Sequence, residues 1–239
     1  MALSNQTVTV YGAYGHTGRF VIAELCRRGW TPILSGRDAD KLHAIAATYP
    51  GLEVRVASVD EAAPGTLVAG QVSRQRRDGS RVVFANGQLS QATGVAPTTD
   101  RTFPEPLGVQ AVIAEFTMAD TVTIARHLKT PEIRSYMTVS AVKDLTHPSP
   151  VPPTPSDASG RSAQTFVVDV VVRKGSEERR AVARGRDIYA FTAPLVVEAM
   201  ERVIGGLVKA PGVYTAGEAF DARDFLAALC LAHLTVDTR

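Results

Sequence analysis

Val8-Thr9-Val10-Tyr11-Gly12-Ala13-Tyr14-Gly15-His16-Thr17-Gly18 decides the fold. The first four residues are β-branched or aromatic and run into glycine, as a short buried strand does. From about Thr17 to Arg28 the period changes. Gly18, Val21, Ile22, Leu25, Cys26 and Gly29 recur at helical spacing and give one stripe to face a sheet, while Glu24, Arg27 and Arg28 fall outside it. Gly29 supplies a C-terminal stop. Outward from there, Thr31–Ser35 reads as a second strand. Asp38 caps a second helix over about Ala39–Tyr49, which stops at Pro50-Gly51, and Leu52–Ala57 makes a third strand. Strands alternating with helices of this length imply right-handed crossovers and a parallel sheet. The fold class is therefore α/β, opening on a Rossmann-type βαβαβ unit.

The glycines have separate tasks in such a unit. Gly12 permits the tight turn out of the strand, Gly15 lets a pyrophosphate approach bare backbone, and Gly18 lets the helix pack closely on the strand. The first N–H groups of the helix and its dipole favour a phosphate there. Tyr14, His16 and Thr17 then line a bound cofactor. The end of the second strand, Leu34-Ser35-Gly36-Arg37, has no acid to hold a ribose 2′-hydroxyl. Arg37 presents a planar fork of donors suited to a 2′-phosphate, Ser35 adds a hydrogen bond and Lys41 adds charge. Asp38 stands near the place of a ribose acid but reads better as a helix cap. These residues select NADP over NAD, and Asp60, just past the third strand, either approaches the adenine side or is an ordinary loop acid.

Val10-Tyr11-Gly12-Ala13-Tyr14-Gly15-His16-Thr17-Gly18-Arg19, with Ser35-Gly36-Arg37-Asp38 and Ala57-Ser58-Val59-Asp60, resembles the saccharopine dehydrogenase-like reductases, a group that includes trans-acting enoyl reductases. Gly160–Phe166, Ala183–Tyr189 and Thr192-Ala193-Pro194 are similar to their second half. The resemblance implies NADP-linked oxidoreduction on a Rossmann domain with an added β-rich domain. It also exposes a departure. Relatives continue the sheet with further β/α units, whereas here Leu67-Val68-Ala69-Gly70 runs directly into Gln71-Val72-Ser73-Arg74. A doubly wound dinucleotide domain needs two βαβαβ halves, and only one is present in the pattern. The expected division is 1–70 for the nucleotide-binding unit and 71–239 for a β-rich substrate or oligomerisation domain. The open flank of the first strand should be paired or covered by another part of the chain or by a second subunit.

Past Asp60 the pattern is mainly antiparallel β. Glu61–Gly70 allows one short helix at best. Arg81-Val82-Val83-Phe84 leads to a turn at Asn86-Gly87. Gln110–Phe116 and Thr121–Ile124 are candidate strands, and His147–Asp157 is a Pro- and Ser-rich loop. Phe166–Val172 is a strong strand that Lys174-Gly175-Ser176 turns into a partner over about Arg179–Phe191. Thr192 then caps a helix with Pro194 in its first turn and Gly205-Gly206 at its end, and a last helix spans about Ala222–Leu231.

The 239 residues are 45% apolar and 21% charged, as in an ordinary globular protein, and a net charge of +2 argues against nucleic-acid binding by bulk electrostatics. No apolar run reaches the roughly 18–20 residues of a membrane span, and no signal peptide is visible. Cys26 and Cys230 read as small apolar residues, and the five histidines lack metal-ligand spacing. The expectation is a cytoplasmic protein acting on a small molecule, with a homo-oligomer possible. No catalytic residue is selected: Tyr136 and Tyr189 could donate a proton, but their spacing picks out neither. Glu177-Glu178 is a hairpin end, and Arg180, Arg184 and Arg186 share a strand face that is either solvated or turned to an acidic substrate. An NADP-dependent oxidoreductase leads. The alternative is a shortened, non-catalytic NADP-binding module.

Overall fold

The computed structural model describes residues 6–58, 80–145, 147, 153–208, 211–230 and 233–238. Asp60, the segment 61–70, and Arg74, Arg76 and Arg77 lie outside the described residues. In chain order the elements are β1 (Thr7–Tyr11), α1 (His16–Arg27), β2 (Thr31–Gly36), α2 (Ala39–Ala46), β3 (Val54–Val56), β4 (Arg81–Ala85), β5 (Gln88–Ala92), β6 (Thr98–Thr102) and β7 (Val109–Ile113). There follow α3 (Ala119–His127), β8 (Met137–Thr138), α4 (Val139–Leu145), β9 (Thr165–Lys174), β10 (Glu177–Arg186), α5 (Ile188–Ile204), α6 (Ala216–Ala219), α7 (Ala222–Cys230) and β11 (Thr235–Thr238).

The chain divides into two compact units, one within 1–60, 153–208 and 223–239, the other within 61–152 and 209–222. The first unit holds the parallel sheet, in the order β1-β2-β3. Val10 pairs with Leu34, and Leu34 with Val54. Ala13, Ile22, Leu34, Leu42 and Ile45 form one buried cluster between the sheet, α1 and α2. Each of the larger of these side chains contributes about 1.5–3 kcal/mol by leaving water. Cys26 packs at its margin, and burial pushes its thiol pKa up.

Among the described residues, the free flank of β1 is covered on its face but not at its edge. Thr31 N–H donates to the Gln6 carbonyl and Gly12 N–H to that of Ser35, so alternation along the strand turns the Thr7, Thr9 and Tyr11 backbone groups away from β2. Among the described residues no strand pairs there. Helix α5 instead lays Val197 and Met200 against Val8 and Val10, around a second buried cluster of Leu25, Trp30 and Val197.

That helix also covers Glu24 and Arg28, which fall outside the sheet-facing stripe of α1. Glu24 is 7% exposed. It accepts hydrogen bonds from Arg27 (2.6 Å) and Arg28 (2.7 Å), while Arg28 Nη1 donates to Glu198 (2.8 Å) and Glu201 (2.5 Å) of α5. Trp30 Nε1 donates to Glu201, and Arg202 ties Glu198 to Asp224. Burial pushes the Glu24 and Glu198 carboxyls up, but the arginine hydrogen bonds outweigh it and hold both below the ordinary glutamate value of 4.5. Carboxyls depressed in the folded state stabilise it above their unfolded pKa and cease to do so as pH falls through the folded one. The melting temperature should therefore hold from neutrality to about pH 5 and fall progressively below it. Melting curves that stay level to about pH 3 would show that this network adds nothing.

The first unit also contains the antiparallel sheet β11-β10-β9. Its hairpin turns at Gly175 (φ 61°), as the sequence suggests. Arg180, Arg184 and Arg186 do share a face, but each is paired, with Asp169, Asp237 and Asp157 respectively. Helix α5 starts earlier than the Thr192 cap predicts. Asp187 turns the chain at φ 55° and caps Ile188–Ile204. Strand β10 therefore stops at Arg186 rather than continuing to Phe191. Thr192 lies inside the helix, its hydroxyl donating to the Ile188 carbonyl (2.8 Å), and Pro194 is a buried interior residue.

In the second unit, β4 and β5 form a hairpin about Asn86 (φ 53°) and Gly87 (φ 74°), the left-handed pair a two-residue turn requires. Strands β6, β7 and β8 form an antiparallel sheet. Thr121–Ile124 is helical, within α3, and not a strand. Asp120 in the first turn and Arg126 and His127 in the last suit a helix dipole, and buried Thr121 meets the Ser135 hydroxyl at 3.1 Å. His147 and residues 153–157 carry no helix or strand.

Candidate functional site

The glycine loop leaves β1 and enters α1. Gly12 sits at φ +79°, a conformation few side chains adopt, and its N–H and that of Ala13 both reach the Ser35 carbonyl, at 2.9 and 3.1 Å. Gly15 has ordinary φ, −67°, and stands as the N-cap of α1 with no side chain to satisfy the first-turn N–H groups. A Cβ on Gly15 would lie 3.0 Å from the Gly12 carbonyl oxygen. One on Gly18 would lie 2.3 Å from that same oxygen and 3.0 Å from the Ala13 carbonyl oxygen. Gly18 is thus where helix and strand touch, and Gly15 marks a bare helix start with open donors, the local geometry an anion requires. The cradle fits a pyrophosphate.

At the end of β2, Ser35 is buried and its carbonyl is spent on the loop. Gly36 lies beneath Tyr14: a Cβ there would come within 2.7 Å of the Tyr14 ring. Lys41 stands 5.7 Å from the centre of that ring. Asp38 is a helix cap, as its position suggests. Its carboxylate accepts from the Lys41 N–H (3.1 Å) and pairs with the Lys41 ammonium (2.8 Å). The Lys41 side chain, then its N–H, hold the Asp38 carboxyl below its ordinary value. Arg37 is exposed, and its guanidinium hydrogen-bonds to none of the described residues. The loop and the end of β2 thus bring together Gly12, Tyr14, Gly15, Ser35 and Arg37. Asp60 lies outside the described residues.

A groove of about 590 Å³ runs from the loop along the free edge of β1. Gly12, Gly15, His16, Thr17 and Gly18 line one end of it, Val8, Val10 and Val21 its floor, and Tyr189, Val196, Val197 and Met200 of α5 its far wall. The glycine motif predicts His16 and Thr17 at this place, but nothing in the sequence predicts the wall that α5 supplies. Its signal, a helix with one apolar stripe, says nothing about where that stripe lands. Among the described residues no three His, Cys, Asp or Glu gather as metal ligands, and no helix is long and apolar enough to cross a membrane.

No family model matches the chain, and no curated protein matches it. A crystal structure of a short-chain dehydrogenase from Shigella flexneri is similar to it over 34% of this chain and 37% of that one, with 22% identity and a TM-score of 0.23. The chain thus matches well under half the length of that neighbour. The α/β reading rests on the parallel β1-β2-β3 sheet and its two crossover helices, with antiparallel sheets after them.

Proposed function

We propose that the chain is an NADP-dependent oxidoreductase of the saccharopine dehydrogenase-like kind, acting on a small molecule. The observation that carries this reading is the bare, glycine-lined start of α1 beside an exposed Arg37, with Asp38 committed to capping α2. The backbone N–H groups after Gly15 would hold the pyrophosphate. Tyr14 and Lys41 would border the adenosine side, and Arg37 would take the 2′-phosphate in a charge-assisted pair. When bound, the nicotinamide supplies or accepts the hydride. The protein's share of that chemistry is to bind, orient and exclude water along the groove.

Arg37→Ala should weaken NADP(H) by about 10–150-fold, the worth of a hydrogen bond to a charged group, and leave NAD(H) nearly unchanged. Titration of both cofactors into wild type and variant checks this. Equal losses for the two would remove Arg37 from cofactor choice.

A second reading has its own support. The described residues contain one βαβαβ half, and none of them pairs with the β1 edge where a second half would attach. A module that binds NADP without turnover fits that incompleteness. NADPH oxidation across a panel of carbonyl, imine and enoyl acceptors separates the two: binding without turnover favours the module, and robust turnover the enzyme.

A further inference from the structure

The β9–β10 hairpin ends at Arg186, and the next residue is under unusual constraint. Asp187 has φ 55° and is fully buried. Its carboxylate accepts from the backbone N–H groups of Ser162 (2.7 Å), Tyr189 (3.1 Å) and Ala190 (3.1 Å). Burial pushes this carboxyl up, but the N–H groups of Ser162 and Ala190 outweigh it, so the group stays ionised and the cap stays made. A non-glycine residue rarely takes this backbone conformation. Here it fixes the first turn of α5, and with it the direction of Tyr189.

Tyr189 meets the glycine loop. Its ring lies edge-on to the His16 imidazole, with centroids 5.2 Å apart and planes at 82°, and His16 lies edge-on to Phe20 at 5.4 Å. The Tyr189 side chain is 39% exposed and lines the groove beside Gly12, Gly15 and Thr17. Its hydroxyl hydrogen-bonds to none of the described residues. A tyrosine in this state packs its ring on protein and keeps a free donor at its tip. Two turns along the same helix the groove wall becomes apolar, with Val196, Val197 and Met200. Of the α5 residues that line the groove, Tyr189 is the polar one, and its ring lies at the end of the groove where His16 begins α1.

We propose that Tyr189 is a dinucleotide contact supplied from outside the βαβαβ unit, its hydroxyl donating to a pyrophosphate oxygen over the glycine loop. Asp187 is the positioning residue behind it. This inference rests on the dinucleotide-binding reading and adds to it a residue far from the loop in sequence.

The test is calorimetric titration of the full chain and of Tyr189→Phe with NADPH and with adenosine 2′-monophosphate, which keeps the 2′-phosphate but carries neither phosphate of the pyrophosphate. Tyr189→Phe keeps the ring on His16, so unchanged melting is expected. NADPH affinity should fall by about 10-fold, as for a lost hydrogen bond to a charged group, while the monophosphate stays within about twofold. Unchanged NADPH affinity in Tyr189→Phe would overturn the contact. So would equal losses for both ligands, which would mean that the variant disturbs the loop as a whole. If wild type binds neither ligand, the dinucleotide reading itself fails and this contact fails with it.

Discussion

Gly18→Ala should lower the melting temperature by roughly 6–12 °C and take dinucleotide binding with it, a loss of about 3 kcal/mol from forced overpacking. The new methyl would sit 2.3 Å from the Gly12 carbonyl oxygen, 3.0 Å from that of Ala13 and 3.1 Å from the Gly12 carbonyl carbon. All three are backbone atoms of the turn that leaves β1, so no side-chain rotation relieves the contact. Either α1 lifts from the sheet or the turn at Gly12 opens. The first withdraws Ile22 and Leu25 from their buried places, and the second breaks the bonds from Gly12 and Ala13 to Ser35. Gly15 provides the contrast. A methyl there meets only the Gly12 oxygen, at 3.0 Å, which a shift of a few tenths of an ångström relieves. Gly15→Ala should therefore melt close to wild type while weakening NADPH, because it covers the donors and not the core. Paired melting and binding curves decide the matter. A Gly18→Ala protein as stable as wild type would show that the close approach of helix and strand is not needed.

The two glycines were legible because they act through the backbone of one short segment. Strand, turn and helix follow each other within twenty residues, and the change of period from two to 3.6 marks each boundary. The Asn86-Gly87 hairpin and the Gly175 turn were readable for the same reason. What escaped depends on partners distant in sequence. Glu24 and Arg28 fall outside the sheet-facing stripe of α1, and the Glu198 that Arg28 bonds on α5 lies some 170 residues later. The Asp187 cap was hidden because an aspartate at positive φ has no sequence mark, and Thr192 with Pro194 offered a more conventional helix start. Strands β6 and β11 read Thr98-Thr99-Asp100-Arg101-Thr102 and Thr235-Val236-Asp237-Thr238, without the apolar alternation that announces a strand. The Thr121–Ile124 run is β-branched yet helical, since α3 is set by its flanking charges and by Thr121 packing inward. Tyr189 was visible only as a candidate with no address, because the sequence does not say that α5 returns to the glycine loop.

Arg28→Ala should destabilise the protein by about 3–5 kcal/mol, although it removes no apolar core residue. Arg28 is 15% exposed and is shared by three carboxylates, Glu24, Glu198 and Glu201, at 7%, 14% and 23% exposure. Its hydrogen bonds to Glu198 and Glu24 raise its own pKa against the opposing effect of burial, so it stays cationic throughout the accessible pH range. Taking away the shared cation leaves like charges facing one another between α1 and α5, and losing one partner of a buried pair costs far more than the pair contributes. For a chain of this size the loss corresponds to roughly 6–20 °C in melting temperature. Arg27 supplies the control. It bonds the same Glu24 but is 61% exposed, so Arg27→Ala should cost under about 1 kcal/mol. The Arg28→Ala deficit should also shrink at acid pH, because protonating Glu24 and Glu198 removes the repulsion that the variant creates. Melting of both variants at neutral and acid pH measures this. Equal, small effects at positions 27 and 28 would mean that α5 is held on α1 by Leu25, Val197 and Met200 alone. A large Arg28 effect that vanishes at low pH would place the carboxylate cluster among the forces that join α5 to α1 and the parallel sheet, and so keep the far wall of the groove in place.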